Sequence, residues 1–386
     1  MKTRHFLSIF IAALTAVWAW DALVMHPMTG DWPWLVQRHA LYLTGIWSIG
    51  LMSLVMVLAT RPVWLEGPLG GMDKIYQAHK WAGILAVLFG AAHWLIKLGS
   101  GPLSALIGKE GRPTKEVALF FAQSWRSPAK DLGEWALYIL LGLIVIALWK
   151  RIPYRPWRAL HRAMPVLYLL LVFHTVALLP ANYWAGLTGA LTAVLLLTGS
   201  VSACLSLTQR IGRTRRHEGR ITFEIKALGD YTRQLAHRLQ VGQAVCVEGP
   251  YGRLDARHGR EDAAQVWVAG GIGITPFLAW LENAQREPLK TPVQMHYCVR
   301  DAGTDPLIDR VRTLCSTVPN VTLHIHDGRT SQRLDADTLL RLCELRDGRL
   351  DVWFCGPADF AKRLQSGLQR VLGHGVRMYR EAFDMR

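Results

Sequence analysis

Six long apolar runs dominate the first half of the chain, and each is long enough to cross a lipid bilayer. A bilayer core about 30 Å thick requires roughly 17 to 25 residues of helix. Because hydrocarbon offers no partner for open backbone amides, a spanning run must be helical. The sequence therefore predicts a six-helix transmembrane bundle within residues 1–207. Its six runs are residues 6–25, 39–60, 79–97, 134–150, 161–179 and 183–207.

Basic residues gather beside these runs. The 44 Lys+Arg and 29 Asp+Glu give a formal net charge of +15. Clusters at residues 150–162 and 210–216 predict that these connections face the cytoplasm, because short cytoplasmic loops are rich in Lys and Arg. We therefore expect no nucleic-acid partner, but a multi-pass protein of the inner (plasma) membrane with its second half in the cytoplasm. Residues 99–133 disagree with this topology, because they would lie outside although they are rich in Lys and Arg. Their basic residues are Lys109, Arg112, Lys115, Arg126 and Lys130.

Composition narrows the class of protein further. With 51% hydrophobic and 19% charged residues, the chain is too apolar for disorder. The six cysteines are scattered without a C-x-x-C pair, which argues against a disulfide scaffold or a zinc site and indicates a reducing compartment. The apolar run near the N-terminus lacks a small-residue cleavage site, so we expect an uncleaved first helix.

After residue 216 the pattern changes to that of a water-soluble domain. Alternating apolar residues at 220–226 and 243–248 predict half-buried strands. From Gln265 onward, strands alternate with helices, which is typical of a parallel nucleotide-binding sheet. The sequence thus predicts a multi-domain membrane protein: the membrane domain at 1–207, a basic linker at 208–219, a shortened antiparallel β-barrel at 220–262 and an α/β domain at 263–386.

Four histidines lie at membrane depth, where ionisable side chains are costly and usually functional. His79 and His93 are 14 residues apart on the third run, and His161 and His174 are 13 apart on the fifth. Both spacings correspond to about 20 Å along a helix. Because imidazole is a haem-iron ligand, we expect two sites: His79 with His161 near the cytoplasmic face, and His93 with His174 near the outer face. Histidines that only pack the bundle are the alternative.

The sequence also contains a glycine-rich turn between a predicted strand and a predicted helix. Its glycines allow backbone amides to approach a pyrophosphate at a helix N-terminus. A second strand followed by Cys355, Gly356 and Pro357 strengthens this interpretation, whereas ordinary tight turns are the alternative. The expected nucleotide-binding residues are Gly270, Gly271, Gly273, Thr275, Pro276, Gly356 and Pro357.

These motifs together resemble the ferric reductase and NADPH oxidase superfamily, in which a six-helix haem domain precedes a ferredoxin-NADP reductase-like dehydrogenase. The resemblance implies two b-type haems, FAD and NAD(P)H as cofactors. It implies flavin-phosphate contacts from Gly229, Tyr231 and Thr232. It also implies that Cys355, Glu381 and Phe383 lie at the site of hydride transfer.

The flavin barrel departs from that family. A six-stranded barrel takes about 100 residues, but only 57 residues separate Leu207 from Gln265. The motif that binds the isoalloxazine ring has no counterpart in this stretch. Because a partial barrel exposes unpaired strand edges, we expect weak flavin binding or a partner chain that completes the barrel.

The resulting hypothesis is a transmembrane oxidoreductase. Electrons would pass from cytoplasmic NAD(P)H through FAD and two haems to an outer acceptor, either a ferric chelate or dioxygen. The first alternative is a b-type cytochrome that is fed by a separate reductase and has an inactive or regulatory nucleotide domain. A transporter with histidine proton relays is the second.

Overall fold

The computed structural model describes residues 3–114, 117, 119–148, 160–208, 221–227, 230–245, 247, 254–330, 333–343, 345 and 348–382. The chain divides into two compact units, Met1–Arg213 and Thr214–Arg386. The first unit is helical, and the second contains a β-sheet.

The first unit consists of long apolar helices with short connecting helices. Its elements are α1 (Thr3–Ala19, continued by a π-helical turn at Trp20–Met25), α2 (Trp32–Ala59), α3 (Val63–Leu69), α4 (Met72–Ile107), α5 (Arg126–Leu148), α6 (Met164–Leu178), α7 (Ala181–Trp184) and α8 (Leu187–Leu207). Polar side chains join the helices inside the bundle: Ser48 donates to the Ala86 carbonyl at 2.8 Å, and the Ser53 and Tyr168 hydroxyls lie 2.9 Å apart.

Four helical segments of the described chain have the length and composition to cross a membrane: Thr3–Met25, α2, α4 and α8. The predicted count of six spans is therefore not reached among the described residues. The 15 residues of α6 rise about 22 Å, which is less than a bilayer core. The first turns of α5 carry Arg126, Lys130, Asp131 and Glu134, which shortens its apolar stretch.

The second unit contains a five-stranded sheet in the order β3-β2-β1-β4-β5, and all neighbouring pairs are parallel. The strands are β1 (Ala264–Gly270), β2 (Val293–Val299), β3 (Val321–Asp327), β4 (Leu350–Gly356) and β5 (Val376–Ala382). The predicted parallel α/β sheet is thus confirmed. β5 was not predicted, because its residues 376–382 contain three charged side chains and read as a surface segment.

Helices cover both faces of this sheet. They are α10 (Thr275–Ala284), α11 (Ile308–Thr317), α12 (Ala336–Leu342) and α13 (Ala358–Leu372), and α9 (Asp230–Arg238) precedes the first strand. β1 and β4 lie in the middle and are buried on both faces, which explains their continuous runs of Val, Trp and Phe.

The antiparallel barrel is not observed. Described residues 221–227 and 243–245 belong to no strand, and α9 lies between them. The apolar side chains of Ile221, Phe223 and Ile225 are each more than half exposed. The predicted strands at 220–226 and 243–248 are therefore not confirmed among the described residues, because a strand forms only against a neighbour and the described chain supplies none here.

Candidate functional site

The structure brings the four membrane histidines together in two pairs. The ring centroids of His79 and His161 lie 6.0 Å apart, and those of His93 and His174 lie 6.5 Å apart. The planes of the first pair are inclined by 35° and those of the second by 80°. All four side chains are half-buried.

These distances suit a metal between the two rings of each pair. A metal about 2 Å from one nitrogen of each imidazole places the ring centroids roughly 6 Å apart. Within the described ranges, no group of three or more His, Cys, Asp or Glu side chains is placed to hold a metal ion by itself. The two imidazoles of each pair would instead suit a prosthetic group that brings the remaining ligands itself, such as a haem.

Backbone carbonyls orient three of the four rings. The Nδ1 of His79 donates to the Val55 carbonyl at 3.1 Å, and the Nδ1 of His93 donates to the Leu41 carbonyl at 2.8 Å. The Nδ1 of His174 donates to the Ala129 carbonyl at 2.7 Å. A proton fixed on Nδ1 leaves the lone pair on Nε2, which is the arrangement that metal-binding histidines adopt.

The helix that carries His161 is interrupted just after it. Residues 160–161 are helical, residues 162–163 form a turn, and α6 begins at Met164. Pro165 has no N–H to donate to the carbonyl four residues earlier, which is that of His161. On a straight helix, 13 residues would leave His174 about 140° from His161. The interruption changes that angle and lets both residues face histidines of α4.

A cavity of about 390 Å³ adjoins the pair of His93 and His174. Gly45 of α2 and Gly133 of α5 line it and lie against the two rings. A β-carbon added at Gly45 would lie 3.1 Å from Nδ1 of His93. A β-carbon at Gly133 would overlap the His174 ring and lie 2.9 Å from its Cγ. Only glycine leaves both imidazoles in place.

The glycine-rich turn lies at the carboxyl ends of β1 and β4. Gly271 has a φ of +55°, a conformation that favours glycine. A β-carbon at Gly273 would overlap the Cys355 carbonyl and lie 3.0 Å from the Gly356 nitrogen. Thr275 and Pro276 form the first turn of α10. The glycine-rich turn and the turn at Gly356 and Pro357 therefore pack directly together. They lie at the carboxyl ends of the parallel strands, where ligands bind in such sheets.

The remaining predicted site residues are only partly brought together. Cys355 is fully buried, and Glu381 lies opposite it in the ladder between β4 and β5. Tyr231 and Thr232 lie in the first turn of α9. Gly229, Phe383 and residues 248–252 lie outside the described residues, so the flavin and hydride-transfer roles stay predictions. Next to this edge, burial raises the pKa of the Cys298 thiol to about 12, so this thiol is protonated at neutral pH.

Sequence reasoning missed the carbonyl partners of the histidines. Val55 and Leu41 are 14 residues apart on α2, the same spacing as His79 and His93 on α4. This matched spacing was the available signal, because two antiparallel helices with equal rise keep such pairs in contact. The matched spacing could be interpreted only once α2 and α4 were known to be neighbours.

The family described as ferric reductase like transmembrane component matches residues 44–172. The anthranilate 1,2-dioxygenase electron transfer component of Acinetobacter baylyi is 25% identical over 160 residues, which are 40% of this chain and 46% of that protein. The heme-dependent oxidative N-demethylase beta subunit of Ectopseudomonas mendocina is 30% identical over 155 residues, 39% of this chain and 45% of that protein. The chain thus spans less than half the length of these curated relatives.

A flavohemoglobin structure from Malassezia yamatoensis, with bound FAD and heme, covers 92% of this chain and 100% of its own at 14% identity and a TM-score of 0.42. A likeness of this size does not show a shared fold. The family match includes His79, His93 and His161 and ends two residues before His174. Residues 44–172 are thus similar to the membrane component of the ferric reductase family, which confirms the predicted resemblance.

Proposed function

We propose that this protein is a transmembrane oxidoreductase of the inner membrane. It would carry electrons from cytoplasmic NAD(P)H across the bilayer to an outer acceptor, a ferric chelate or dioxygen. The single observation that supports this most is the pairing of His79 with His161 and of His93 with His174, at ring separations that would suit a metal held between them. The six-span topology belongs to the same proposal.

Each imidazole pair has a defined task in this proposal. A haem at each pair would supply a one-electron couple, and a flavin would convert the hydride of NAD(P)H into single electrons. The carbonyls of Val55, Leu41 and Ala129 fix the protons of three rings on Nδ1, which would leave the Nε2 lone pairs to hold the haem iron.

The nucleotide half contributes binding and orientation. The turn at residues 270–276 presents backbone amides at the start of α10, where a pyrophosphate is favoured. The flavin site is less complete, because the described residues between 221 and 247 form no barrel. We therefore propose that FAD binds weakly or in a barrel that a partner chain completes, with Tyr231 and Thr232 near its phosphates.

The test is an absorption spectrum of the purified full-length protein, followed by reduction with NADH or NADPH in the presence of added FAD. We expect a Soret band, two haems per chain, and reduction of both. His93→Ala and His174→Ala should each lose one haem. His39 lies in α2 and belongs to neither pair, so His39→Ala should keep two. A colourless protein after expression with ample haem would refute the proposal, and equal loss of both haems would refute the pairing.

The exposed apolar segment at 221–225 favours one second candidate. In that candidate, the protein is a b-type cytochrome that receives electrons from a separate reductase, and its nucleotide half is inactive or regulatory. Haems that a reductase partner reduces but NAD(P)H never reduces would support it. Tight, stoichiometric FAD in the purified protein would exclude it.

A further inference from the structure

Tyr168 joins three helices of the bundle at a point between the two levels of paired histidines. It lies on α6, seven residues after His161 and six before His174. At 1.5 Å per residue, these separations correspond to about 10 Å and about 9 Å along a helix. The Tyr168 side chain is fully buried, and its hydroxyl reaches both α2 and α8. A hydroxyl at this depth is costly unless it is hydrogen-bonded.

The Tyr168 hydroxyl is held by a directional bond to α2. It lies 2.9 Å from the hydroxyl of Ser53, which is also fully buried. Because the Ser53 hydroxyl donates its own proton to the Ile49 carbonyl at 2.9 Å, it accepts the proton of Tyr168. The Leu196 carbonyl of α8 lies 3.4 Å from the same Tyr168 oxygen. One hydroxyl thus bridges α2, α6 and α8, and leaving it unbonded in the interior would destabilise the bundle.

Gly199 of α8 makes room for this hydroxyl. A β-carbon added at Gly199 would overlap the Tyr168 hydroxyl and lie 2.7 Å from Cζ of the same ring. It would also lie 3.1 Å from Cα of Ser53. Glycine destabilises a helix interior relative to alanine, so α8 carries a cost at this position. Small residues at such positions allow membrane helices to approach closely, and here the approach places the ring of Tyr168 against α2.

The bridge connects two helices that arrange the histidine pairs from different sides. α2 supplies the carbonyls of Leu41 and Val55, which orient the two rings of α4. Ser53 lies two residues before Val55 on the same helix. α6 carries His174, and the residues just before α6 carry His161. Because close-packed interiors transmit a displacement, a shift of α6 along α2 would change the ring separations of both pairs.

We propose that Tyr168 is a positioning residue for both histidine pairs. Its hydroxyl, held by Ser53 and given room by Gly199, fixes the position of α6 along α2. It thereby keeps the two pairs at their ring separations of 6.0 and 6.5 Å. This inference rests on the proposed function and goes beyond it, because it makes one contact responsible for the geometry of two metal sites. Tyr168 transfers no electron and no proton in this role, and it acts through the helices that carry the ligands.

The experiment compares variants of the full-length protein in detergent. Tyr168→Phe removes the bridging hydroxyl and keeps the ring, and Ser53→Ala removes the hydroxyl that accepts from it. Thr198→Val is the matched control. The Thr198 hydroxyl is exposed on α8 and donates within its own helix, to the Val194 and Leu195 carbonyls at 2.8 and 3.1 Å.

Two measurements report on the ligands of each haem. The first is the carbon monoxide difference spectrum of the protein reduced with dithionite. An iron with two imidazole ligands and a porphyrin has no free position, so carbon monoxide binds only where one imidazole has left. The second is a redox titration that resolves the two haems.

For Tyr168→Phe and for Ser53→Ala we expect the fraction of haem that binds carbon monoxide to rise about fivefold at both haems. Loss of one buried hydrogen bond shifts such an equilibrium by about this factor. Both midpoint potentials should also shift. The variant that combines the two substitutions should behave like either single variant, because both remove the same bond. Thr198→Val should match the wild type.

A lower melting temperature with unchanged carbon monoxide binding and unchanged midpoint potentials would show a merely structural role and overturn the proposal. A change at one haem alone would also overturn it. A protein without a Soret band would refute the proposed function alone. The hold of Tyr168 on α6 would then be measured by amide hydrogen exchange. Tyr168→Phe should raise exchange in α2 and α6 about fivefold, and exchange no faster than in Thr198→Val would refute the bridge.

Discussion

Replacing Gly133 by alanine tests the geometry of the second histidine pair. The added β-carbon would overlap Nδ1 and Cε1 of His174 and lie 2.9 Å from Cγ of that ring. Ordinary contacts between such atoms are about 3.5 Å or longer, so the ring must move by about 1 Å. That movement also breaks its hydrogen bond to the Ala129 carbonyl, which measures 2.7 Å.

The cost of the substitution follows from these two effects. Overpacking of a filled interior costs about 1 to 3 kcal/mol, and the lost hydrogen bond adds about 1 kcal/mol. A total of about 2 to 4 kcal/mol corresponds to a roughly 30- to 1,000-fold weaker metal site. The three atoms nearest the added β-carbon all belong to His174, so the pair of His79 and His161 should keep its ligand.

Two other glycines provide a graded comparison. A β-carbon at Gly142, also in α5, would meet no atom within 4 Å, so Gly142→Ala is the control. A β-carbon at Gly45 would lie 3.1 Å from Nδ1 of His93, so Gly45→Ala should have an intermediate effect.

The assay is haem stoichiometry from the pyridine haemochrome spectrum, together with a redox titration that resolves the two haems. We expect two haems per chain for the wild type and Gly142→Ala, weaker retention of one for Gly45→Ala, and about one for Gly133→Ala. If Gly133→Ala keeps two haems with unchanged midpoint potentials, the placement of His174 against Gly133 is refuted.

Three further predictions concern the nucleotide half. Asp351 is fully buried and accepts hydrogen bonds from Arg260 at 2.7 and 2.8 Å. Asp351→Ala should therefore lower the free energy of unfolding by about 3 to 5 kcal/mol. Unchanged hydrogen exchange in β4 would contradict this. Gly273→Ala should weaken NADH binding at least about tenfold, because the added β-carbon would overlap the Cys355 carbonyl. Calorimetric titration with NADH measures this loss. The Soret band of the variant should not change. Burial, followed by two neighbouring histidines, lowers the pKa of His296 from 6.5 to about 3. The unfolded chain therefore binds the extra proton, so stability is complete above pH 6.5 and falls below it by up to about 1.4 kcal/mol per pH unit. Hydrogen exchange of β2, corrected for the intrinsic rate, should show this loss between pH 7 and pH 5, and His296→Gln should reduce it.

Local sequence patterns predicted a large part of this architecture. Apolar runs of bilayer length predicted the segments Thr3–Met25, α2, α4 and α8, because both helix length and hydrocarbon thickness are fixed. Runs of Val, Trp and Phe predicted the central parallel strands, since strands buried on both faces lack alternation. The glycine turn was predicted from its spacing, because few residues other than glycine permit such close backbone approach.

The four membrane histidines could be identified from the sequence, but their carbonyl partners depend on tertiary structure. His79 and Val55 are 24 residues apart, His174 and Ala129 are 45 apart, and His93 and Leu41 are 52 apart. Such contacts depend on which helices are neighbours, and no local periodicity contains that information. The turn at residues 162–163 likewise makes the angle between His161 and His174 differ from the one that a straight helix predicts.

The predicted barrel and the basic residues of 99–133 show the same division. Residues 221–225 alternate as a strand should, but hydrogen bonding to a neighbour decides whether a strand forms, and the described chain offers no neighbour there. Arg126 and Lys130 looked like an exception to membrane topology, and helix packing places them in the wall of the cavity beside His93 and His174. The sequence by itself determined which segments are apolar and which residues carry chemistry, because those properties belong to single residues and their near neighbours. Tertiary structure decided which of those residues meet, because contacts between distant segments depend on how the whole bundle and the whole sheet pack.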